Sequence, residues 1–149
     1  MKTLIDLQVG DTLEQPQWLV VTQSMIDQFA EATGDHQWIH LDKEKCKRES
    51  PFSTTIAHGF LTASLMPKAF SEVLEASDKI ASTINYGIDN LRFLEPVKCE
   101  DSVKYQFKLV ETRVKPAGTL YKVEASCVLK SSGKPALVGT FLMLGVLKP

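Results

Sequence analysis

Ile56-Ala57-His58-Gly59-Phe60-Leu61-Thr62-Ala63-Ser64-Leu65-Met66-Pro67-Lys68-Ala69-Phe70-Ser71-Glu72-Val73-Leu74-Glu75-Ala76 is the longest apolar element of the chain. Phe60, Leu61, Ala63, Ser64, Leu65, Ala69, Phe70, Val73 and Leu74 leave little room for a polar face until its second half. A helix apolar almost all round is a buried helix. Pro67 lies inside it, and proline removes one helical hydrogen bond, so a kink is expected there.

Everything downstream reads as strand. Ile80 to Phe93 carries an interior Gly87, a sign of a bulge or a close approach, and Pro96 ends it. Val103 to Leu109 alternates apolar and polar side chains. Pro116-Ala117-Gly118 and Gly133-Lys134-Pro135 are turns, which bound strands at Thr119–Leu129 and Ala136–Leu147. Upstream, Val9-Gly10-Asp11 reads as a turn and Gln17–Val21 as one short strand. One buried helix with four following strands and one preceding strand implies an α+β fold, an antiparallel sheet of about five strands wrapped on a long central helix.

Between the first strand and the buried helix lies a polar stretch. Thr22 is a good N-cap for a helix in which Met25, Ile26, Phe29 and Ala30 recur at helical spacing. Gly34 ends that helix. The loop that follows reads Asp35-His36-Gln37-Trp38-Ile39-His40. Asp42 to Glu49 forms a short exposed helix capped by Asp42, its charges a solvated face, before Pro51 breaks the chain. The third histidine, His58, precedes Gly59 at the mouth of the buried helix. Acid-base groups thus gather ahead of a helix N-terminus, where free N–H groups suit a substrate that develops negative charge. Each residue also has a plainer reading: Asp35 as a turn former, His40 as a satisfied core histidine, His58 as a cap, Trp38 as packing.

Composition narrows the field. The chain has 149 residues, which is the size of one domain, so residues 1–149 are read as a single unit. Apolar residues make up 44% and charged residues 23%, with a net charge of −1. Without a basic tract, nucleic acid is not expected as a partner. Cys46, Cys99 and Cys127 lack Cys-x-x-Cys spacing, so neither a disulfide framework nor a zinc ribbon is expected. The start, Met1-Lys2-Thr3-Leu4-Ile5-Asp6, is charged too soon for a signal peptide, and no run is long enough for a membrane span. A cytoplasmic protein is expected. His36 and His40 stand four apart, but the loop follows a helix-ending glycine and no glutamate follows His36, so no metal is expected.

The Asp35-x-Gln37-x-x-His40 loop, followed by His58-Gly59-Phe60-Leu61 and a small-residue helix, resembles the MaoC-like (R)-specific enoyl-CoA hydratases, most closely the branch that includes nodulation protein N. Gln37 stands where many members have asparagine and Trp38 where many have proline; Pro67 aligns near a serine of the short hydratases. The resemblance implies the hot-dog fold, a homodimer or larger assembly, and a hydro-lyase that interconverts trans-2-enoyl-CoA and (R)-3-hydroxyacyl-CoA. It implies Asp35 and His40 as the acid-base pair on one water, and the Gly59 N–H as oxyanion donor. Gln37, Trp38, His58 and Phe60 are the expected substrate contacts. The coenzyme A or acyl-carrier thioester is part of the substrate, and no separate cofactor is implied. Three other readings stay open: a 3-hydroxyacyl-carrier-protein dehydratase, an acyl-CoA thioesterase, and a non-catalytic acyl-thioester-binding module. Thioesterases of this type tend to carry a carboxylate on the buried helix, and none stands between Ile56 and Ser71.

Overall fold

In the strand that starts at Ser102, every second residue from Val103 to Leu109 turns inward. Val103, Tyr105, Phe107 and Leu109 are all buried. That strict alternation makes one face of a sheet apolar and forces it against a partner. The computed structural model describes all residues, 1–149. It places four long strands after Glu72: β3 (Ile80–Phe93), β4 (Ser102–Lys115), β5 (Gly118–Leu129) and β6 (Pro135–Leu147). Two small strands precede them, β1 (Thr12–Glu14) and β2 (Leu19–Val20), and both pair with β4. The order along the antiparallel sheet is β1-β4-β5-β6-β3, with β2 also on β4.

The sheet therefore has six strands where five were expected. The N-terminal segment splits into two pieces; Gln15 lies between them and donates its main-chain N–H to the Tyr105 carbonyl. Gly87 sits at a register shift between Asn85 and Gly87, in keeping with the bulge read from its presence in the strand. A second shift lies between Asp89 and Arg92, where Asn90 adopts φ 56°.

The buried helix is not one rod. It is two short helices, α4 (Gly59–Ser64) and α5 (Met66–Glu72), joined at Leu65. Ile56 and Ala57 stay outside it, and Ile56 bridges to Lys98. Pro67 stands in the first turn of α5, where the missing N–H is harmless, so proline starts a helix here and does not merely kink one. The hydroxyls of Thr62 and Ser64 donate to the carbonyls of Gly59 and Phe60, local bonds that bend helices. The Tyr105 hydroxyl, rising from β4, donates to the Thr62 carbonyl at 2.6 Å.

Phe70 of α5 joins the layers. It meets Phe107 of β4 and Phe141 of β6 edge-on at 5.1 and 5.3 Å. Truncating a buried phenylalanine of this kind costs about 3–5 kcal/mol. A sheet curled around a central helical segment is the hot-dog arrangement. No helix is long and apolar enough to cross a membrane. β3 is the long strand at one edge of the sheet, and Ile84, Tyr86, Ile88 and Phe93 on it are exposed.

Candidate active site

The site begins where α1 (Gln23–Thr33) ends. Thr22 caps the start of α1 by accepting from the Met25 N–H. Gly34, at φ 80°, closes its end and sends its own N–H to the Ala30 carbonyl. The left-handed angle suits glycine and turns the chain sharply, which sets Asp35 at the rim. The expected loop then resolves into two parts. Asp35 to Gln37 is irregular, and Trp38–Leu41 closes a single helical turn, α2. Asp42 caps the next helix, α3 (Lys43–Glu49), by accepting from the Lys45 N–H at 3.0 Å.

One helical turn cannot stabilise itself, so its partners come from elsewhere. The buried Cys46 thiol, on α3, donates to the Trp38 and Ile39 carbonyls. The segment before α4 supplies the rest. Ile56 donates its N–H to the Ile39 carbonyl at 3.0 Å and is itself the acceptor for His40 Nδ1 at 2.7 Å. His58 Nε2 donates back to the main-chain carbonyl of Asp35 at 3.0 Å. Residues Asp35–His40 and Ile56–His58 are thus stitched together by three hydrogen bonds in both directions.

These bonds decide the tautomers. A carbonyl only accepts, so His40 carries its proton on Nδ1 and presents a bare Nε2. His58 carries its proton on Nε2, and its Nδ1 is buried without a partner. The two imidazoles stack, with centroids 3.8 Å apart and planes 23° from parallel. Phe29 of α1 closes the far side of His58 at 4.9 Å. His40 is 7% exposed and His58 3%, so His58 lies beneath His40 and not on the surface. Burial pulls the His40 pKa below the ordinary 6.5, and His58 adds to that; the Ile56 carbonyl and the Asp35 carboxylate oppose it. His40 is therefore neutral at pH 7, the form a base needs.

One carboxylate oxygen of Asp35 and one ring nitrogen from each of His40 and His58 lie within 4.8 Å of one another. The trio is a poor metal site. Stacked rings confine their lone pairs to two nearly parallel planes held apart, so two such nitrogens do not readily converge on one tetrahedral ion. His36 takes no part. It is exposed and lies between the Glu31 carboxylate at 2.8 Å and the Gly34 carbonyl at 3.2 Å. The Glu31 hydrogen bond raises its pKa above the usual value.

Gly59 opens α4. Its N–H and that of Phe60 have no main-chain carbonyl partner, whereas Leu61 and Thr62 both donate to the His58 carbonyl. The reason for a glycine there is more specific than general access to backbone. A Cβ on Gly59 would stand 3.0 Å from the Phe93 ring, which crosses from the end of β3 and meets Phe60 edge-on at 5.5 Å. Phe93 belongs to the site and had no signal in the sequence, because a β3 residue reaches Gly59 only through the tertiary fold. Of the other expected contacts, Gln37 is exposed and is the residue before α2. Trp38 is half-buried, with the Lys45 ammonium 4.5 Å above its ring. Phe60 is exposed and borders an apolar groove of about 430 Å³ between α4–α5 and β3, lined also by Met66, Pro67, Tyr86, Ile88 and Leu142. A larger concavity, about 610 Å³, lies on the polar outer face of the sheet and touches none of the candidate residues.

The MaoC like domain matches this chain over residues 6–129. The chain is 36% identical over 137 residues to nodulation protein N of Rhizobium leguminosarum bv. viciae, a match covering 91% of this chain and 85% of that protein. It is 38% identical over 130 residues to 3-hydroxyacyl-thioester dehydratase Z of Mycobacterium tuberculosis, covering 87% of this chain and 85% of that one. The R-hydratase PhaJ1 of Pseudomonas aeruginosa, solved unliganded, shares the fold at a TM-score of 0.78 and 26% identity, covering 97% of this chain and 85% of that one. With two thirds or more of each relative covered and the domain match spanning most of the sequence, the chain belongs to the MaoC-like domain family.

Proposed function

We propose that the protein is a hydro-lyase that interconverts trans-2-enoyl-CoA and (R)-3-hydroxyacyl-CoA. The observation that carries this reading is the fixed tautomer of His40, a neutral imidazole with a bare Nε2 beside the Asp35 carboxylate. A gap of this size fits one water, since a water holds partners at about 2.7–3.0 Å on two sides. In hydration, His40 Nε2 takes a proton from that water while its oxygen bonds to C3. The C2=C3 electron pair moves toward the thioester oxygen, which the Gly59 N–H receives. The proton then passes to C2, and the enzyme returns to its starting state. Asp35 holds the remaining water hydrogen and orients the oxygen. α4 has only six residues, so the local N–H groups and not a long macrodipole supply the stabilisation.

The acyl chain is placed along the groove bordered by Phe60, with Gln37 and Trp38 at the rim. His58 serves the substrate from beneath, through Asp35 and His40. The chemistry needs no cofactor beyond the thioester itself. Dehydration of a 3-hydroxyacyl-carrier-protein thioester uses the same atoms in reverse. Hydrolysis fits less well: the first carboxylate along α4 and α5 is Glu72, already engaged by Lys68 at 3.2 Å and Gln15 at 3.3 Å. A non-catalytic acyl-binding module would not require a neutral buried base.

The exposed apolar edge of β3 is proposed to pair with a second copy, which would cover unpaired main-chain groups as well as Ile84, Tyr86 and Ile88. Light scattering at micromolar concentration tests this, and a monomeric mass with full activity would sink it. The function is tested by following loss of the enoyl chromophore of crotonyl-CoA on addition of the protein. Turnover with stereospecific formation of the (R)-3-hydroxy product is expected. Release of free coenzyme A would point to hydrolysis, and binding without turnover to the non-catalytic module.

A further inference from the structure

We propose that Gln23 is a positioning residue for His40: its side-chain amide ties the His40 carbonyl to the segment that orients the His40 ring. Gln23 is the first residue of α1; both of its amide N–H donors are used, and its carbonyl oxygen accepts one bond. Nε2 donates to the His40 carbonyl at 2.8 Å and to Asp27 Oδ1 at 2.9 Å. Oε1 accepts from the Thr55 hydroxyl at 2.5 Å. Thr55 is fully buried, and its own carbonyl accepts from the Cys99 N–H at 2.9 Å. The next residue, Ile56, is the one whose carbonyl holds His40 Nδ1.

One amide therefore bridges the backbone of His40 and the residue adjacent to the acceptor of its ring. α2 is one turn long, and its last carbonyls have no donors within the helix. Gln23 satisfies the carbonyl of the reacting residue itself. Remove that bond and His40 keeps its N–H bond to the Gln37 carbonyl but loses the anchor on its own carbonyl, while the anchor on its ring, through Thr55 and Ile56, loses its brace. Small misplacements of a catalytic group lower turnover steeply while leaving substrate affinity nearly intact.

The inference rests on the reading of His40 as the base, so its test carries one arm that needs no activity. Gln23→Ala and Gln23→Glu are compared with wild type for kcat and KM on crotonyl-CoA, and for imidazole nitrogen chemical shifts in the free protein at neutral pH. Gln23→Glu keeps the shape and the acceptor for Thr55 but loses the donor to His40 and sets a second carboxylate beside Asp27, so it is read together with Asp27→Asn, which removes that repulsion without restoring the donor. Both variants are expected to lose kcat roughly 10- to 100-fold, with KM within about twofold. In both, His40 should shift from a single Nδ1–H tautomer toward a mixture. Should Gln23→Ala fail to fold, Thr55→Val, which removes only the donor to Oε1, is read by the same two measurements. Wild-type kcat together with an unchanged tautomer in Gln23→Glu overturns the proposal, as does a loss confined to KM. If wild type hydrates no enoyl thioester, the functional reading fails, and the nitrogen shifts alone decide whether Gln23 positions His40.

Discussion

His36 and His40 stand four residues apart in one short motif, yet they occupy opposite worlds. His36 sits at the rim, open to water, between a carboxylate and a carbonyl that both favour its charged form. His40 sits on the floor, stacked on His58, with its proton committed to the Ile56 carbonyl and its charged form disfavoured by burial. The same side chain is thus pushed toward its charged form at one position and toward its neutral form at the other. Environment and not residue type assigns the chemistry.

The largest test of that contrast removes the floor. His40→Ala and Asp35→Asn are each expected to lower turnover by roughly 10²–10⁴ while far-ultraviolet circular dichroism stays unchanged. Near-wild-type rates in either variant would reverse the assignment of the site. Unfolding of His40→Ala would instead make it a structural residue.

Somewhat smaller effects are expected at Gly59, the proposed oxyanion donor. Gly59→Pro removes the N–H at a helix position where proline is tolerated and should cost roughly 10²–10³ in kcat. Gly59→Ala keeps the donor but sets a methyl 3.0 Å from the Phe93 ring, so part of its loss is steric. Phe93→Leu, added to Gly59→Ala, should return activity toward wild type and should not rescue Gly59→Pro. Equal rescue of both would show that Phe93 packing and not the N–H governs the position.

The pH dependence separates rim from floor by a modest shift. A base must be deprotonated, so activity is held at neutral pH and lost as pH falls through the His40 pKa, below 6.5. The groups that face His40 are Asp35 on its own loop and His58 beneath it. Asp35 raises the pKa, so residual activity of Asp35→Asn should show its acid limb at lower pH than wild type. The folded-state pKa is depressed, so stability also declines as pH falls from 6.5 through that value, and His40→Gln should flatten this decline in a thermal melt series. The smallest effect is reserved for the rim. His36→Ala should leave kcat within about twofold, and Glu31→Gln should lower the His36 pKa seen by proton NMR. A loss of turnover in His36→Ala comparable to that of His40→Ala would erase the contrast.

The legible part of the site was its local part. Asp35, His40 and His58-Gly59 could be picked out because acid-base types cluster ahead of an apolar helix. Phe93, Gln23 and Thr55 could not. Each acts through a partner at least 16 positions away: Phe93 on Gly59, Gln23 on His40 and Thr55. No spacing rule connects such pairs. At Gly59 the fold added a demand that the sequence did not show, since a Cβ there would meet an aromatic ring of β3.

Sequence by itself determined the features governed by neighbours a few residues apart. Thr22 and Asp42 cap helices because a side-chain oxygen reaches an N–H three positions on. Gly34 ends α1 because it alone there adopts a left-handed angle without strain. β4 lies on the core because its side chains alternate at the pleat's period. Tertiary structure decided what depends on distant donors. The apolar helix became two, with the Tyr105 hydroxyl taking the Thr62 carbonyl across the core. A single helical turn, α2, exists because Ile56, Cys46 and Gln23 satisfy its carbonyls. His40 is held neutral because folding buries its ring, and its bare nitrogen is Nε2 because folding brought the Ile56 carbonyl to Nδ1. A tautomer and a pKa belong to an environment, and that environment is assembled only when residues far apart in the chain meet.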